Sequence, residues 1–430
     1  MAVQLARNVP QTQQFIADAL LEQDNIADQS LRDQWRQLIL HPLSRLDSRS
    51  SYVLIVDALD ECDNEDDIRI ILQLLSEART LKTVRLQIFL ASRPEIPIRH
   101  GFCQIPDSEH QNFVLHNISP SIINHDISIF LQYSLKLIAA ERSLGAGWPA
   151  EQIVERLVYT ASGLFIWAAT ACRFIREGKR FAAKRLDMIL EKNSTTMNRP
   201  EKHLDEIYLT VLRQSISAAY SAEEAEELCC MLKSLLGSIV TLFSPLSIQS
   251  LSNLINISKE EVDQTLDDLH AIIDIPQDQI SPIRLHHPSF RDFLCNKERC
   301  SDSNFRVDEK QAHQILADYC IQLMSKSLKK EICKQDAPGT LVTNVESSRI
   351  EQCLPPSVQY ACLYWIQHLQ RSGPQLRDND QVHQFLQEHL LHWLEALGWM
   401  RKSSEGILVI TSLESIALVS IIPACYEIHN

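Results

Sequence analysis

Two short apolar runs in the first hundred residues predict a pair of buried strands. Residues 53–56 read VLIV and residues 86–90 read LQIFL, and residues 68–78 between them have the spacing of an apolar helix. A strand, a helix and a second strand in this order form a βαβ unit with parallel strands. Continuous apolar strands are typical of parallel sheets with helices on both faces. We therefore expect both strands to be fully buried.

Helical periodicity dominates most of the remaining chain. Apolar residues recur every three or four positions in the helix predicted at residues 30–40, which ends at Pro42. Two apolar helices joined near Gly163 are predicted within residues 153–175, with Trp167 in the core. Other predicted elements are helices at residues 11–23, 354–370 and 382–397, and a short third strand at residues 112–115.

A change of pattern within residues 243–294 predicts a small module of another kind. Short helices are followed by a turn and by the sequence SPIRLHHPSFRDFL, an order that is typical of a winged helix. The fold class expected from these patterns is a partial α/β sheet followed by mainly α domains that include a winged helix. The predicted boundaries are 1–115 for the α/β part, 116–235 for a helical domain, 236–300 for the winged helix and 301–430 for a helical arm.

Carboxylates follow the first predicted strand directly. Asp57, Asp60 and Glu61 come after residues 53–56, and the carboxyl ends of parallel strands are where α/β sheets bind their ligands. Carboxylate oxygens are ligands of Mg²⁺, so these residues are candidates for a site that holds a divalent cation and phosphates. The alternative interpretation is an acidic loop or a helix cap without bound metal.

Composition and charge disfavour several classes of function. The formal net charge of -14 disfavours nonspecific binding to nucleic acid or to anionic membranes. The N-terminal residues lack the pattern of a signal peptide, and the twelve cysteines are scattered without a C-x-x-C pair, so we expect a cytoplasmic chain with reduced thiols. Residues 406–425 are apolar, but Glu414 and Pro423 interrupt them, so no membrane span is predicted.

Two motifs of the first domain carry a resemblance to a known family. VLIVDALDEC and LQIFLASRPE resemble the Walker B strand and the sensor strand of NACHT-type signal-transduction NTPases. Together with HHPSFRDFL and LPPSVQYACLYWIQHL downstream, the chain resembles the fungal nephrocystin-like proteins of the heterokaryon-incompatibility type. The resemblance implies a nucleotide-binding switch with Mg²⁺ and ATP or GTP. It also implies self-association or binding of partner proteins through the helical domains.

The resemblance also implies roles for individual residues. Asp57 is expected to hold Mg²⁺ through water, while Asp60 and Glu61 orient or activate the attacking water. Arg93 matches the sensor arginine that contacts the γ-phosphate, and His287 matches a winged-helix histidine that contacts the β-phosphate of ADP. The alternatives are a surface arginine before a turn proline, and a packing or capping histidine.

Several departures from the family bear on activity. No G-x-x-x-x-G-K-[ST] motif occurs in the chain, and Gly178-Lys179 lies after the predicted strands without the earlier glycine. Gly163-Leu164-Phe165 has Phe where the family's Gly-x-Pro motif has Pro. We therefore expect a fragment of a signalling NTPase that does not hydrolyse nucleotide. The alternatives are a scaffold protein without nucleotide and a non-functional truncated product.

A pair of histidines offers one further candidate for metal binding. His389 and His392 lie three positions apart on a predicted helix, a spacing that places both rings on one face. No second pair of metal-ligating residues accompanies them in the sequence, so a packed or solvated helix face is the favoured interpretation.

Overall fold

The chain divides into two compact units in the computed structural model, Met1–Leu115 and His116–Asn430. The first unit has the bounds of the first predicted domain; the finer division of the second unit at residues 235 and 300 stays a prediction. The structure describes residues 1–22, 26, 29–46, 50–62, 65–93, 96–106, 108–145, 147–192, 200–216, 220–276, 278, 280–333, 342, 345–373, 376–403, 406, 410–411 and 413.

The first unit combines helices with a two-stranded sheet. Its elements are α1 (Ala2–Asn8), α2 (Gln13–Glu22), α3 (Leu31–Trp35), a π-helical segment (Arg36–Leu40), α4 (His41–Ser44), β1 (Ser51–Val56), α5 (Glu65–Glu77), β2 (Arg85–Leu90) and α6 (Ile96–Cys103). Short 3₁₀ turns cover Pro10–Thr12, Leu59–Glu61 and Ala78–Thr80.

The strand pairing predicted from the two apolar runs is confirmed. β1 and β2 are parallel neighbours, and the register runs from Ser51 opposite Arg85 to Val56 opposite Leu90. Helix α5 provides the connection between them, as expected for a βαβ unit. The carboxyl ends of both strands therefore lie at the same edge of the sheet.

The prediction that these strands are buried on both faces is wrong. Exposure alternates along both strands, and the exposed fractions of Val53, Ile55 and Phe89 are 62%, 69% and 58%. The side chains in between, such as Leu54 and Ile88, pack against a core formed by α1, α3, α4, α5 and the π-helical segment. Within the described residues the helices of this unit cover one face only, so alternate side chains of each strand remain open.

The third strand predicted at residues 112–115 is not formed. Residues 111–114 have no regular structure, and a short 3₁₀ turn covers Leu115–Asn117. Phe113, Val114 and Leu115 are all exposed. A short apolar segment becomes a strand only where a neighbouring strand offers backbone hydrogen-bond partners, and among the described residues the sheet of this unit contains only β1 and β2.

The second unit is mainly helical, with one small hairpin. Its elements are α7 (Pro120–Glu141), α8 (Glu151–Ala161), α9 (Phe165–Glu177), α10 (Ala182–Lys192), α11 (Pro200–Ser215), α12 (Ala222–Thr241), α13 (Ile248–Ile255), α14 (Lys259–Leu266), β3 (Ile273–Asp274), β4 (Arg284–Leu285), α15 (Ser289–Cys295), α16 (Glu309–Ser327), α17 (Ser347–Cys353), α18 (Pro356–Ser372) and α19 (Gln381–Trp399).

One continuous apolar core supports this unit. The predicted joint between α8 and α9 is confirmed: Ser162 and Gly163 both have positive φ, which turns the chain between the two helices. Trp167 is fully buried, and its indole N–H donates to the carbonyl of His203. Trp365 of α18 and Trp393 of α19 pack edge to face at 5.6 Å between ring centroids. The first of these contacts joins α9 to α11, and the second joins the consecutive helices α18 and α19.

Two sequence expectations about this unit concern a membrane span and a histidine pair, and only the first falls partly outside the described residues. Among the helices that the structure describes, none combines the length and the apolar character needed to cross a membrane. Most of the apolar segment 406–425 lies outside the described residues. His389 and His392 contact each other on α19, with 3.3 Å between their Nδ1 atoms, and His389 stacks on Phe385. The described part of the chain contains no group of three or more metal-ligating side chains.

A buried polar network joins α16 to α18. His313 and His368 approach within 2.8 Å at their Nδ1 atoms, and His368 Nε2 lies 2.7 Å from the Tyr360 hydroxyl. The backbone N–H of Phe243 donates to the same hydroxyl at 3.2 Å, and the Phe243 ring packs on both imidazoles. Burial lowers the pKa of His313 to about 4 and that of His368 to about 3. Both imidazoles are therefore neutral at pH 7.

The alternating exposure of β1 generates a stability prediction. Leu54→Thr removes a side chain that packs on the core and should lower the free energy of unfolding of the first unit by about 1.5–3 kcal/mol. Ile55→Thr, its matched control on the open face, keeps a β-branched side chain and should change the same quantity by less than about 0.5 kcal/mol. Denaturant-dependent hydrogen exchange of the β1 amides measures both values. Equal costs at the two positions would contradict the one-sided burial.

The histidine network predicts acid sensitivity of the second unit. In the unfolded chain both imidazoles take up protons near pH 6.5, whereas the folded state resists protonation until about pH 4. The unfolded state binds more protons in this window, so stability is highest above pH 6.5 and falls as the pH drops. The expected slope is about 1.4 kcal/mol per pH unit for each histidine.

Urea unfolding between pH 7 and pH 4 measures how the free energy of unfolding depends on pH, and two variants are compared with the unaltered chain. His368→Gln introduces an amide that can still form hydrogen bonds but removes one titrating group, so the slope should fall by about half. His383→Gln changes an imidazole outside this network and should leave the slope as it is in the unaltered chain. A slope that His368→Gln does not reduce would show that other groups cause the acid sensitivity.

Candidate functional site

The carboxyl edge of the β1–β2 pair brings the first group of candidate residues together. Ala91 N–H donates to Val56 O at 2.9 Å, and Leu59 N–H donates to Ala91 O at 3.3 Å. These two hydrogen bonds continue the contact between the two segments beyond the ends of β1 and β2. The segments 57–61 and 91–93 therefore run beside each other, and each carries polar side chains that the sequence analysis selected.

A sharp turn directly after β1 gives the acidic residues different environments. Ala58 adopts the left-handed region, with φ 52° and ψ 46°, a conformation that costs energy for a residue with a Cβ. Asp57 Oδ1 accepts from the Ala58 N–H at 3.0 Å, and Asp57 is exposed. Leu59 then turns inward and packs on Ile68, Leu72 and Ile98. As a result Asp57 faces solvent while Asp60 is directed toward the end of β2.

Asp60 acts as a structural link in this structure. Its Oδ1 accepts from the Ser92 hydroxyl at 3.0 Å and from the Arg93 N–H at 2.9 Å. Its Oδ2 lies 3.6 Å from Arg93 Nε, and only 7% of its side chain is exposed. Hydrogen bonds from charged donors or to charged acceptors are stronger than neutral ones, so this carboxylate stabilises the joined strand ends. Its assignment as a catalytic residue stays a prediction.

Glu61 and Arg93 are the remaining two candidate residues at this edge. The backbone of Glu61 closes the short turn Leu59–Glu61, but its side chain lies outside the described residues. The Arg93 side chain is 39% exposed and close to Asp60. Its predicted contact with a γ-phosphate stays a prediction, since its described ion pair is with the carboxylate of the same edge.

His287 belongs to the second unit and is positioned by a chain of hydrogen bonds. Its Nδ1 lies 2.7 Å from the Ser289 hydroxyl and accepts from the Ser289 N–H at 3.1 Å. The Ser289 hydroxyl in turn lies 2.8 Å from the Tyr208 hydroxyl. Burial raises the pKa of Tyr208 to about 12, which keeps this phenol protonated and able to donate. A neutral imidazole that accepts at Nδ1 carries its proton on Nε2.

Two cationic or titratable side chains near His287 were not selected from the sequence. His286 lies 3.1 Å from the His270 carbonyl through its Nε2, and burial, together with the nearby Arg173 charge, lowers its pKa. Burial also lowers the pKa of Arg173, whose buried Nη1 has no hydrogen-bond partner among the described residues. No sequence signal links Arg173 of α9 to His286, because only the fold brings the Arg173 charge close enough to lower the pKa of His286.

An ion pair joins α11 to the segment that follows α15. Arg299 binds the buried Asp205 through two nitrogens of its guanidinium group, which donate to Oδ1 at 2.7 Å from Nη2 and 3.1 Å from Nε. Arg213 of the same helix pairs with Asp302 at 3.0 Å in a more exposed setting. These ion pairs join α11, the helix that carries Tyr208, to the segment that follows α15.

Comparisons with known proteins agree with the resemblance stated from the sequence. Residues 1–93 match the family described as Nephrocystin 3, N-terminal. The chain is also 26% identical over 387 residues to the vegetative incompatibility protein HET-E-1 of Podospora anserina. The match covers 84% of this chain but 26% of that protein, so the chain spans about a quarter of its relative's length. The resemblance to fungal nephrocystin-like incompatibility proteins is confirmed.

The geometry of the strand ends generates a prediction about Asp60. Asp60→Ala should lower the stability of the first unit by about 1–3 kcal/mol in the absence of any nucleotide, because it removes the Oδ1 atom that accepts from the Arg93 N–H and from the Ser92 hydroxyl. Asp57→Ala, the matched control, removes an exposed carboxylate and should cost less than about 0.5 kcal/mol. Hydrogen exchange of the Arg93 amide checks the local effect. Equal effects of the two substitutions would contradict the structural role.

Proposed function

We propose that this chain is part of a nucleotide-controlled signalling switch of the NACHT type, and that it does not hydrolyse ATP or GTP as it stands. The observation that carries the proposal is the carboxyl edge of the β1–β2 pair, where Asp57, Asp60 and Arg93 come together. Ligands of α/β sheets bind at such edges. The relation to a vegetative incompatibility protein supports a signalling role.

The chemistry available at this edge suits Mg²⁺ and phosphate. The exposed Asp57 carboxylate would hold Mg²⁺ through its water shell, a mode of binding that Mg²⁺ prefers because it gives up water reluctantly. Arg93 is a cation that could contact a terminal phosphate once it turns away from Asp60. Asp60 and Glu61 would orient an attacking water only in a chain that also supplies a P-loop, and Asp60 would then have to release its present hydrogen bonds. The described conformation is thus a resting state in the proposal.

The proposal gives residues 236–300 the role of a winged helix. Helices α13 and α14 precede the antiparallel pair β3 and β4, an order that supports this interpretation. His287 follows the hairpin, and the proton on its Nε2 could be donated to a phosphate oxygen of bound ADP. Ser289 and Tyr208 would act as positioning residues, because they fix the tautomer of the imidazole.

A second candidate function is a helical interaction protein that works without nucleotide. The observation in its favour is a row of exposed apolar side chains on α7, formed by Ile122, Ile129 and Tyr133. Such a row suits self-association or binding of another protein chain, and the net charge of -14 disfavours nucleic acid as the partner. Both candidate functions place the chain in the cytoplasm.

The absence of a phosphate-binding glycine loop from this sequence sets the expected outcome of a hydrolysis assay. A P-loop supplies backbone N–H groups and a lysine to the phosphates. Losing three such charge-assisted hydrogen bonds removes about 5–9 kcal/mol, a loss of roughly 10⁴- to 10⁶-fold in affinity. Purified chain with Mg²⁺ and ATP or GTP should therefore release no phosphate above the rate of Asp57→Ala.

The result that would overturn this expectation is equally specific. Phosphate release that requires Mg²⁺ and disappears in Glu61→Ala would show that another segment holds the triphosphate. Glu65→Ala, four positions later in the same acidic region, is the control for a nonspecific loss of charge. If nucleotide alters neither thermal stability nor oligomeric state at millimolar concentration, while Tyr133→Asp on α7 abolishes self-association, the second candidate function is favoured.

A further inference from the structure

Helix α7 carries apolar side chains on two opposite faces. The inner face packs on the core of the second unit through four fully buried side chains: Ile127, Leu131, Leu135 and Ile138. The outer face carries a row of four exposed apolar side chains: Ile122, Ile129, Tyr133 and Leu137. The spacings within this row are seven, four and four positions, which return to the same side of a helix. The row therefore runs along most of α7.

The exposure of this row is large for its apolar character. Ile122, Ile129 and Tyr133 are 55%, 54% and 70% exposed. A surface helix typically combines one apolar stripe with a polar or charged face, whereas a helix that is apolar all round is typically buried. Contiguous exposed apolar side chains mark surfaces that bind another protein. The outer face of α7 therefore has the composition of a protein interface.

The charged side chains of α7 indicate which protein fits this surface. Its acidic and basic residues are Asp126, Lys136 and Glu141, and Glu141 pairs with Arg176 at 3.4 Å. Asp126 and Lys136 are exposed, and neither side chain forms an ion pair or a hydrogen bond within the part of the chain that the structure describes. Asp126 lies five positions before Leu131, and Lys136 lies five positions after it. Opposite charges are thus placed symmetrically about the middle of the exposed row.

We propose that α7 is a self-association surface, on which α7 of a second copy of this chain lies antiparallel about a two-fold axis at the level of Leu131. This inference deepens the second candidate function and rests on its exposed row. The two-fold axis places Asp126 of each copy level with Lys136 of the other, so that two ion pairs of opposite charge form. A symmetric interface of this kind uses the same surface of both copies.

The apolar side chains match in the same arrangement. Ile129 of each copy lies level with Tyr133 of the other, so the two largest exposed side chains near the axis cover each other. Towards the ends of the helix, Ile122 lies level with the exposed Ala140 of the other copy. A small side chain at that level leaves room for the isoleucine. The exposed row is therefore complementary to itself when the two helices are antiparallel.

The alternative direction of pairing is disfavoured by the same charges. In a parallel pair, Asp126 would lie level with Asp126 of the other copy, and Lys136 with Lys136. Like charges at facing positions repel, which makes the parallel arrangement less stable. The charges therefore select the direction of the pair, while the apolar row provides the area that is removed from water.

The length of α7 sets the expected strength of the dimer. A helix of 22 residues is about 33 Å long, so one helix pair forms an interface at the small end of the specific ones. We expect a dimer with a Kd of roughly 10–100 µM, which dissociates on dilution. Sedimentation equilibrium of the purified chain over a concentration range of roughly 1–300 µM measures this Kd.

A charge swap tests whether the partner is a second copy. Lys136→Glu turns both ion pairs into repulsive pairs and should raise the Kd roughly 10- to 30-fold. Asp126→Lys should have a similar effect. The double variant, Asp126→Lys with Lys136→Asp, restores opposite charges at both positions and should return the Kd to within about threefold of the unaltered chain. Recovery also shows that these exposed substitutions leave the fold intact.

A matched control separates the ion pairs from the effect of net charge. Lys310→Glu changes an exposed lysine of α16 and alters the net charge by the same amount as Lys136→Glu, so it should leave the Kd unchanged. The proposal is overturned if the chain stays monomeric over the whole concentration range. If the double variant associates as weakly as the single variants while Tyr133→Asp still abolishes self-association, the second candidate function holds and the antiparallel pairing is wrong.

Discussion

The arrangement of the first unit depends on the parallel pairing of β1 with β2, which helix α5 connects along the chain. Two strands alone do not form a stable sheet, so β1 and β2 rely on the helices that cover one of their faces. At the carboxyl edge the Asp60 carboxylate joins the segment after β1 to the segment after β2. This one side chain holds Arg93 at the edge, while the turn at Ala58 leaves Asp57 exposed to solvent.

Long-range polar contacts have a comparable role in the second unit. Tyr208 reaches Ser289, and through it His287, from a helix 81 positions away. The Arg299–Asp205 ion pair connects segments that are 94 positions apart. Each of these groups is at least partly buried, where an unpaired polar atom is costly. The contacts therefore specify one arrangement of the helices as well as stabilising it.

The same contacts give the proposed switch a physical basis. Asp60 satisfies its oxygens with Ser92 and Arg93 in the described conformation. A carboxylate engaged in this way cannot also orient a water molecule with the same atoms. A nucleotide that draws Arg93 toward a phosphate would release Asp60 as well, so that binding and rearrangement of the edge are coupled. The conformational response to nucleotide would then begin at a single ion pair.

Local sequence determined a large part of this architecture. Apolar periodicity predicted the helices, the two strands and the joint at Gly163, because these patterns report which side chains must leave water. The motif after β1 also identified the acidic residues of the candidate site. What it could not determine was whether an apolar side chain would find a covering surface. Val53, Ile55 and Phe89 resemble core residues in sequence and are exposed in the structure.

Only the tertiary structure decided which groups share a site. The inward position of Asp60 and the Tyr208–Ser289–His287 chain have no local signature. Each depends on the packing of segments that are distant along the chain, and apolar periodicity says only that such packing occurs. A buried polar side chain must find a hydrogen-bond partner, so burial requires that a pair forms. Which residue becomes the partner depends on the geometry of the folded core.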